Sequence, residues 1–418
     1  MTIVTLFLVI CLWLGARGAW AEFRAGVARR VITPDPLLPV TSGAGPCRPA
    51  RDKHMDLEVR ALVFDRNQTR VAIASMPLLG FPAPWCARVA ARVEGVPAEN
   101  LLIGSTHCHS APDCYGFPNE DGEYDIDLDW VDWVCTQTAD AVNEAVILAE
   151  PAAVRAATGE ARGRIAYNYY ASDLYDPRCH VLQVVRQTGA PLATLVNYAI
   201  HPEILLRQDV CSPDLVGPLY ARIEEAGGGV GVFMNGAQGG MVTADIRTPD
   251  GDKEEWSECE RIGRTLADET MRIVADAPAQ EDPVLWCEAR ELTFPVKETM
   301  AMLFMMLHPD ARPWIEPPTS VTTRQNLVNV GDAQILTIPG EALPNIGFFL
   351  KRHMRGRHNL LFGLTNDAFG YFLAHADYDS FKVYEYITQT CLHELAGEIL
   401  MNESLALIGN TPTPDVRI

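Results

Sequence analysis

Positive charge is scarce in this 418-residue chain: 34 lysines and arginines stand against 54 acids, a formal net charge of −20. Binding to nucleic acid needs basic side chains to replace the phosphates' counterions, so that class of partner is excluded, as is an electrostatically held anionic membrane. Long apolar runs are equally scarce. Beyond the first twenty or so residues none approaches the ~20 apolar positions that cross a bilayer, so no transmembrane segment is expected in a mature chain. No stretch is Ser/Gly-rich, repetitive or of low complexity, which removes linkers and repeat arrays from consideration. Residues 22–405 therefore read as one functional body, followed by a frayed tail over 406–418.

What is present begins with the N-terminus. Ile3 to Leu14 is almost wholly apolar, and Ala19-Trp20-Ala21 supplies a small-x-small cleavage site before Glu22. This pattern predicts a secretory signal peptide over residues 1–21, cleaved after Ala21, and a secreted or periplasmic protein. The n-region has no lysine or arginine, and a retained anchor is the competing reading. Ten cysteines follow Cys11. An even number in an exported chain permits disulfides without specifying their pairing. Cys108 and Cys114 are placed to staple the segment between them, with free buried thiols as the equal alternative.

Apolar runs of strand length recur, among them Ala25–Ile32, Val59–Phe64, Leu327–Ile338 and Asn359–Leu364, several of them apolar on both faces, as in a sheet covered on both sides. Helical spacing is clear over Leu128–Leu148. Ser212-Pro213-Asp214 reads as a helix start, and Phe381–Leu400 as a long C-terminal helix. The expected fold class is α/β, with mixed sheets covered by outer helices.

Four strand ends carry the chemistry. The buried run Leu101–Ser105 leads into His107-Cys108-His109, and if the strand persisted both imidazoles would share one face. A second strand, Leu195–Ile200, ends in His201-Pro202, where the proline enforces extended geometry. A third ends in Pro339-Gly340-Glu341, presenting a carboxylate, and a fourth in the segment Gly363–Tyr371. Imidazoles with one carboxylate are the ligand types of a catalytic zinc that keeps a position open for water. In the middle lies Asn235-Gly236-Ala237-Gln238-Gly239. No G-K-[ST] follows, which excludes a phosphate loop. Backbone closely approached beside a substrate is the functional reading of Asn235, Gly236, Gln238 and Gly239, and an ordinary turn is the plain one.

Taken in order, these pieces resemble the catalytic region of the neutral/alkaline, non-lysosomal ceramidase family. The resemblance runs through Gly43–Gly45, Asp56–Leu62, Ser105–Pro112 (STHCHSAP), Asn197–Pro202 (NYAIHP), Ser212–Asp214, Asn235–Gly239, Pro339–Glu341 and Leu364–Tyr371. It implies a zinc-dependent amidohydrolase cleaving the N-acyl bond of ceramide or a related lipid amide. It further implies His107, His201, Glu341 and Tyr371 as Zn2+ ligands, His109 as the acid/base histidine, and attack of zinc-activated water on the amide carbonyl.

Two departures accompany it. The family's catalytic serine falls on Val242 here, which leaves Thr243 as the candidate catalytic hydroxyl. Its asparagine–arginine segment reads Asn168-Tyr169, which leaves Tyr169 as the candidate substrate contact. The family's C-terminal immunoglobulin-like domain has no counterpart in this sequence. The competing readings are a zinc hydrolase of another acyl substrate and a non-catalytic extracellular binding protein that kept fold and metal. A metallo-β-lactamase-like enzyme would require Asp and His soon after H-x-H, and the next acid here is Asp113 with no histidine behind it.

Overall fold

A computed structural model describes residues 22–380 and 382–414; the expected signal peptide lies outside the described residues. Eight strands form the larger sheet: β1 (Arg24–Val31), β2 (Glu58–Arg66), β3 (Thr69–Met76), β4 (Leu101–Ser105), β5 (Glu150–Glu160), β6 (Arg178–Arg186), β7 (Pro191–Tyr198) and β8 (Val230–Asn235). Their spatial order is β8-β7-β6-β5-β1-β2-β3-β4. The β3–β4 and β7–β8 pairs are parallel and the others antiparallel. A second sheet, β9 (Leu285–Pro295), β10 (Ser320–Val330), β11 (Ala333–Thr337) and β12 (His358–Phe362), packs on the first.

Alternation along the strands explains this layering. In β2, Val59, Ala61 and Val63 enter one core, while Leu62 and Phe64 point to the opposite face and enter another. Ala72, Ala74 and Met76 of β3 join the first core, and Val71 and Ile73 the second. A strand buried on both faces needs a layer on each side, and the chain supplies them. Helix α1 (Ala83–Ala90) packs on α2 (Leu128–Ile147), which covers β1 and β2; α3 (Val216–Glu225) and α4 (Trp256–Val274) cover the β6–β8 half. The second core lies between the sheets, where Phe64 and Val154 share a cluster with Val328, Ile335 and Phe362. Four more helices complete the described set: α5 (Glu298–Met306), α6 (Pro344–His353), α7 (Glu385–Gln389) and α8 (Ala396–Asn410), with α6 and α8 closing the outer side of the second sheet. The predicted α/β arrangement of mixed sheets under outer helices is what the chain adopts.

Edge strands β4 and β8 lie at opposite ends of the sheet order, yet the sheet curls until they meet. The Arg60 Nη1 of β2 donates to the Gly231 carbonyl of β8 at 2.9 Å, and Ser75 of β3 donates to Phe233. That curling sets the site.

Local expectations shift in four places. The strand expected over Leu327–Ile338 is a hairpin that turns at Gly331, whose φ is +60°. The helix expected to start at Ser212-Pro213-Asp214 starts at Val216, because the Ser212 hydroxyl caps Asp214 N–H and Asp214 takes a left-handed φ of +53°. The expected Phe381–Leu400 helix is divided between α7 and α8, and α8 carries helix to Asn410, into the segment expected to fray. All ten described cysteines are free thiols, so Cys108 and Cys114 form no staple; Cys108 Sγ instead donates to the Ser212 carbonyl at 3.0 Å.

Candidate metal centre

Strand β4 stops at Ser105. His107 then adopts a left-handed φ of +69°, a strained conformation for a residue with a β-carbon. The strand thus does not persist through the histidines. The turn is held from three sides: Thr106 N–H donates to Met76 O, Cys108 N–H to Leu78 O, and His109 N–H to Pro202 O. The last bond ties the first histidine loop to the second. Ring centroids of His107 and His109 lie 4.7 Å apart, as do those of His107 and His201.

Asn235, the last residue of β8, brackets both loops. Its Nδ2 donates to Thr106 O at 2.8 Å and to Ile200 O at 2.7 Å, the carbonyls immediately before His107 and His201. Its Oδ1 accepts from Ile200 N–H at 3.1 Å and Gly236 N–H at 2.9 Å. The side chain is fully buried, and both donors and two acceptor positions are spent on backbone. Gly239 has a similar duty toward the carboxylate: a β-carbon there would lie 2.4 Å from the Glu341 carbonyl. The closely approached backbone expected of this loop is therefore Glu341's own. Asn235, Gly236, Gln238 and Gly239 are buried behind the site and do not line its cavity.

The ring orientations follow from backbone acceptors. His107 Nδ1 sits 2.7 Å from Leu79 O, and His201 Nδ1 2.9 Å from Val242 O. A carbonyl can only accept, so each Nδ1 carries the hydrogen, and in the neutral ring each Nε2 offers a lone pair. Both Nε2 atoms face Glu341 Oε2, at 3.5 Å for His107 and 3.2 Å for His201. With both rings neutral, as a bound cation requires, three acceptors converge there with no donor between them. Among the described residues, His201 Nε2, Glu341 Oε2 and both ring nitrogens of His109 are buried without hydrogen-bond geometry to any protein group. Orphaned buried acceptors of this kind fit a cation. His107, His109 and His201 form a buried group whose ligand atoms all lie within 4.8 Å of one another and can hold a metal ion.

Electrostatics agree. Burial keeps His107 below its ordinary pKa and His109 well below, so both are neutral. For His201, burial alone would also lower the value, but the adjacent Glu341 carboxylate outweighs it and raises the pKa to about 9. Without a metal, a proton on His201 is the cation that Glu341 holds. Burial would raise the Glu341 pKa, yet the neighbouring His107 and His201 bring it below the usual carboxylate value.

Tyr371 pairs with Glu341 in a two-stranded ladder, Glu341–Ala342 against Tyr371–Phe372. Its hydroxyl donates to Met241 Sδ at 3.2 Å, and burial followed by the Glu341 charge pushes its pKa well up. These residues head an apolar cavity of about 330 Å3 walled by Leu79, Phe117, Met300, Leu303, Phe304 and Leu307.

Thr243 and Tyr169 stand outside this cavity. Thr243 lies in the short strand Val242–Ala244 and bridges to His201 through backbone, while Tyr169 is largely exposed and its N–H donates to Met241 O. Val242, where the family's serine would fall, contributes the carbonyl that orients His201.

Sequence reasoning missed part of the wall: Met241, Glu203, Tyr115, Arg312 and Tyr386, together with helix α5. For α5 a signal existed. The run Met300–Leu307 is apolar on every side of a helix, as an element covering something on two faces must be.

No family model matches the chain, and no curated protein matches it by sequence. Solved structures do. The neutral ceramidase from Pseudomonas aeruginosa superposes with a TM-score of 0.75 over 95% of this chain and 76% of that one, at 16% identity. A ceramidase complexed with C2 gives a TM-score of 0.76 over 95% and 77%, also at 16% identity. The chain has the neutral ceramidase fold. In that ceramidase-like frame the histidines and Glu341 sit where three strand-end loops and the short Glu341–Tyr371 ladder converge.

Proposed function

We propose that this chain is a zinc-dependent hydrolase of N-acyl amides, ceramidase-like, acting on ceramide or a related lipid amide to yield a fatty acid and an amine. The observation that carries the reading is the set of converging acceptors, His107 Nε2, His201 Nε2 and Glu341 Oε2, at the head of an apolar cavity. Ligands about 2.0–2.1 Å from a tetrahedral zinc stand roughly 3.3–3.4 Å from each other. The 3.5 and 3.2 Å separations of the two imidazoles from Glu341 support that coordination. His107, His201 and Glu341 would hold the ion, with Tyr371 as fourth ligand once its hydroxyl turns from Met241. Zinc at this position supplies a Lewis acid for the amide carbonyl and lowers the pKa of water.

This chain's residues do the rest. Neutral His109, its ring nitrogens free of hydrogen bonds, takes a proton from the attacking water and returns it to the leaving amine. The walls of α5 exclude water and hold the acyl chain. Purified protein should contain about one zinc per chain and turn over fluorogenic N-acyl amides, losing activity on chelation and regaining it with zinc. Turnover unaffected by both His107→Ala and Glu341→Ala would refute this site.

A second reading, a non-catalytic binding protein that kept the metal, is favoured by one observation: Thr243 lies off the cavity, leaving no hydroxyl in the serine's place. Zinc without turnover across amides and esters would decide for it. We also propose export, with residues 1–21 removed; mass spectrometry of the secreted protein should find Glu22 as its first residue.

A further inference from the structure

The ionisable groups lining the cavity are unequally matched. Glu341 is committed to the histidines. Arg312 is buried and tied to Asp367, Nη1 to Oδ1 at 2.8 Å, so its charge is already answered. Glu203, two residues beyond His201, lines the same cavity, half-buried, and its side chain forms no hydrogen bond or ion pair among the described residues. Its charge bears on His107, His201, Tyr371 and Tyr386. Tyr386 also lines the cavity, is 47% exposed, and packs edge-on against Tyr371 at 5.9 Å between centroids. Its exposure marks this side as the mouth. The same cavity carries the apolar wall of α5, with Met300 and Phe304 nearly fully buried.

An unpaired carboxylate and a half-exposed tyrosine ring lining one cavity can together receive an ammonium group, which gains charge-assisted hydrogen bonds from the acid and cation–π attraction from the ring. We propose that Glu203 is a specificity-determining residue that selects substrates whose amine half carries a protonated amino group. That group sits between Glu203 and Tyr386, and the acyl half lies along α5. The substrate class is then a cationic N-acyl amide, in contrast to a lipid amide whose polar half carries only hydroxyls. As a statement about turnover this rests on the amide-hydrolase reading; as a statement about binding it does not.

The test uses zinc-loaded protein and two N-dodecanoyl amides of a four-carbon amine, one ending in an ammonium and the other in a hydroxyl. The wild type should favour the ammonium substrate roughly fivefold in kcat/KM at low salt, and Glu203→Gln should bring that ratio close to one. Octylammonium and octanol are titrated calorimetrically into the same two proteins, with zinc affinity measured alongside. A ratio unchanged by Glu203→Gln overturns the inference. So does an equal loss on both substrates, or a loss of zinc affinity without a change in the ratio. If neither amide turns over, the hydrolase reading fails on its own, and the preference for octylammonium over octanol still decides the role of Glu203.

Discussion

Replacing Asn235 by aspartate changes one side-chain nitrogen to oxygen and leaves shape and volume nearly intact. Yet it removes both donors that hold the Thr106 and Ile200 carbonyls at 2.8 and 2.7 Å. Each lost hydrogen bond is worth about 0.5–1.5 kcal/mol, and each buried group left unsatisfied costs about 1–3 kcal/mol. The introduced carboxyl has one escape: once protonated, its O–H restores one of the two bonds. The net loss is then on the order of 2–4 kcal/mol, a shift of a few degrees in melting temperature for a chain of this size.

The pH dependence has a definite sign. Burial against two carbonyls raises the carboxyl's folded pKa above its unfolded value near 4. The stability contributed by the protonated form is therefore complete below about pH 4 and is lost as pH rises through the folded pKa. The deficit of Asn235→Asp relative to wild type must grow from acid to neutral pH. Because the freed carbonyls directly precede His107 and His201, metal affinity should fall by about 10- to 100-fold, as expected when groups that orient ligands are lost. Thermal denaturation at pH 4.5 and 7.5, with competition for zinc against a chromophoric chelator, measures both effects. A variant that melts with the wild type at both pH values and binds zinc equally tightly would refute the claim that Asn235 spaces the two histidines.

The histidine pair divides by role: His107→Ala should abolish zinc binding, whereas His109→Ala should retain zinc and lose turnover by about 10²-fold or more. Equal zinc loss in both variants would place His109 on the metal. Asp214 offers a second pH test, at a carboxylate outside the histidine cluster. Burial, only partly offset by the Leu205 and Leu215 N–H groups, raises its pKa from 3.8 to about 6. Its stabilising share is full below about pH 3.8 and lost as pH rises through about 6. Asp214→Asn should therefore flatten the stability profile between pH 4 and 7 by on the order of 3 kcal/mol in urea denaturation; an unchanged slope would show that Asp214 does not titrate there.

Much of the architecture is legible along the chain because strand burial is a local matter of period. Two-sided apolar runs such as Val59–Phe64 announced a covered sheet, and the spacing in Leu128–Ile147 announced its helix. Chemistry was legible for the same reason. His107, His201 and Glu341 each follow a strand, and a strand end is where a polar side chain can leave the core without stranding its neighbours.

The tertiary structure decided how those ends meet. Strands β4 and β8 are the two edges of the larger sheet, and no periodicity in either reports that the sheet curls to bring Asn235 against Thr106. The Asn235–Gly239 loop has the composition of a ligand contact, and only packing reveals that its neighbours are the backbones before His107 and His201 and at Glu341. That Glu203 and Tyr386 line one cavity could not be read from sequence either, since nearly two hundred positions separate them. By itself the chain determined which side chains can bind a cation, because donor type and strand ends are local properties. Which of them face one point, and which carboxylate is left without a partner, depends on distances between segments remote in sequence, and those exist only in the folded protein.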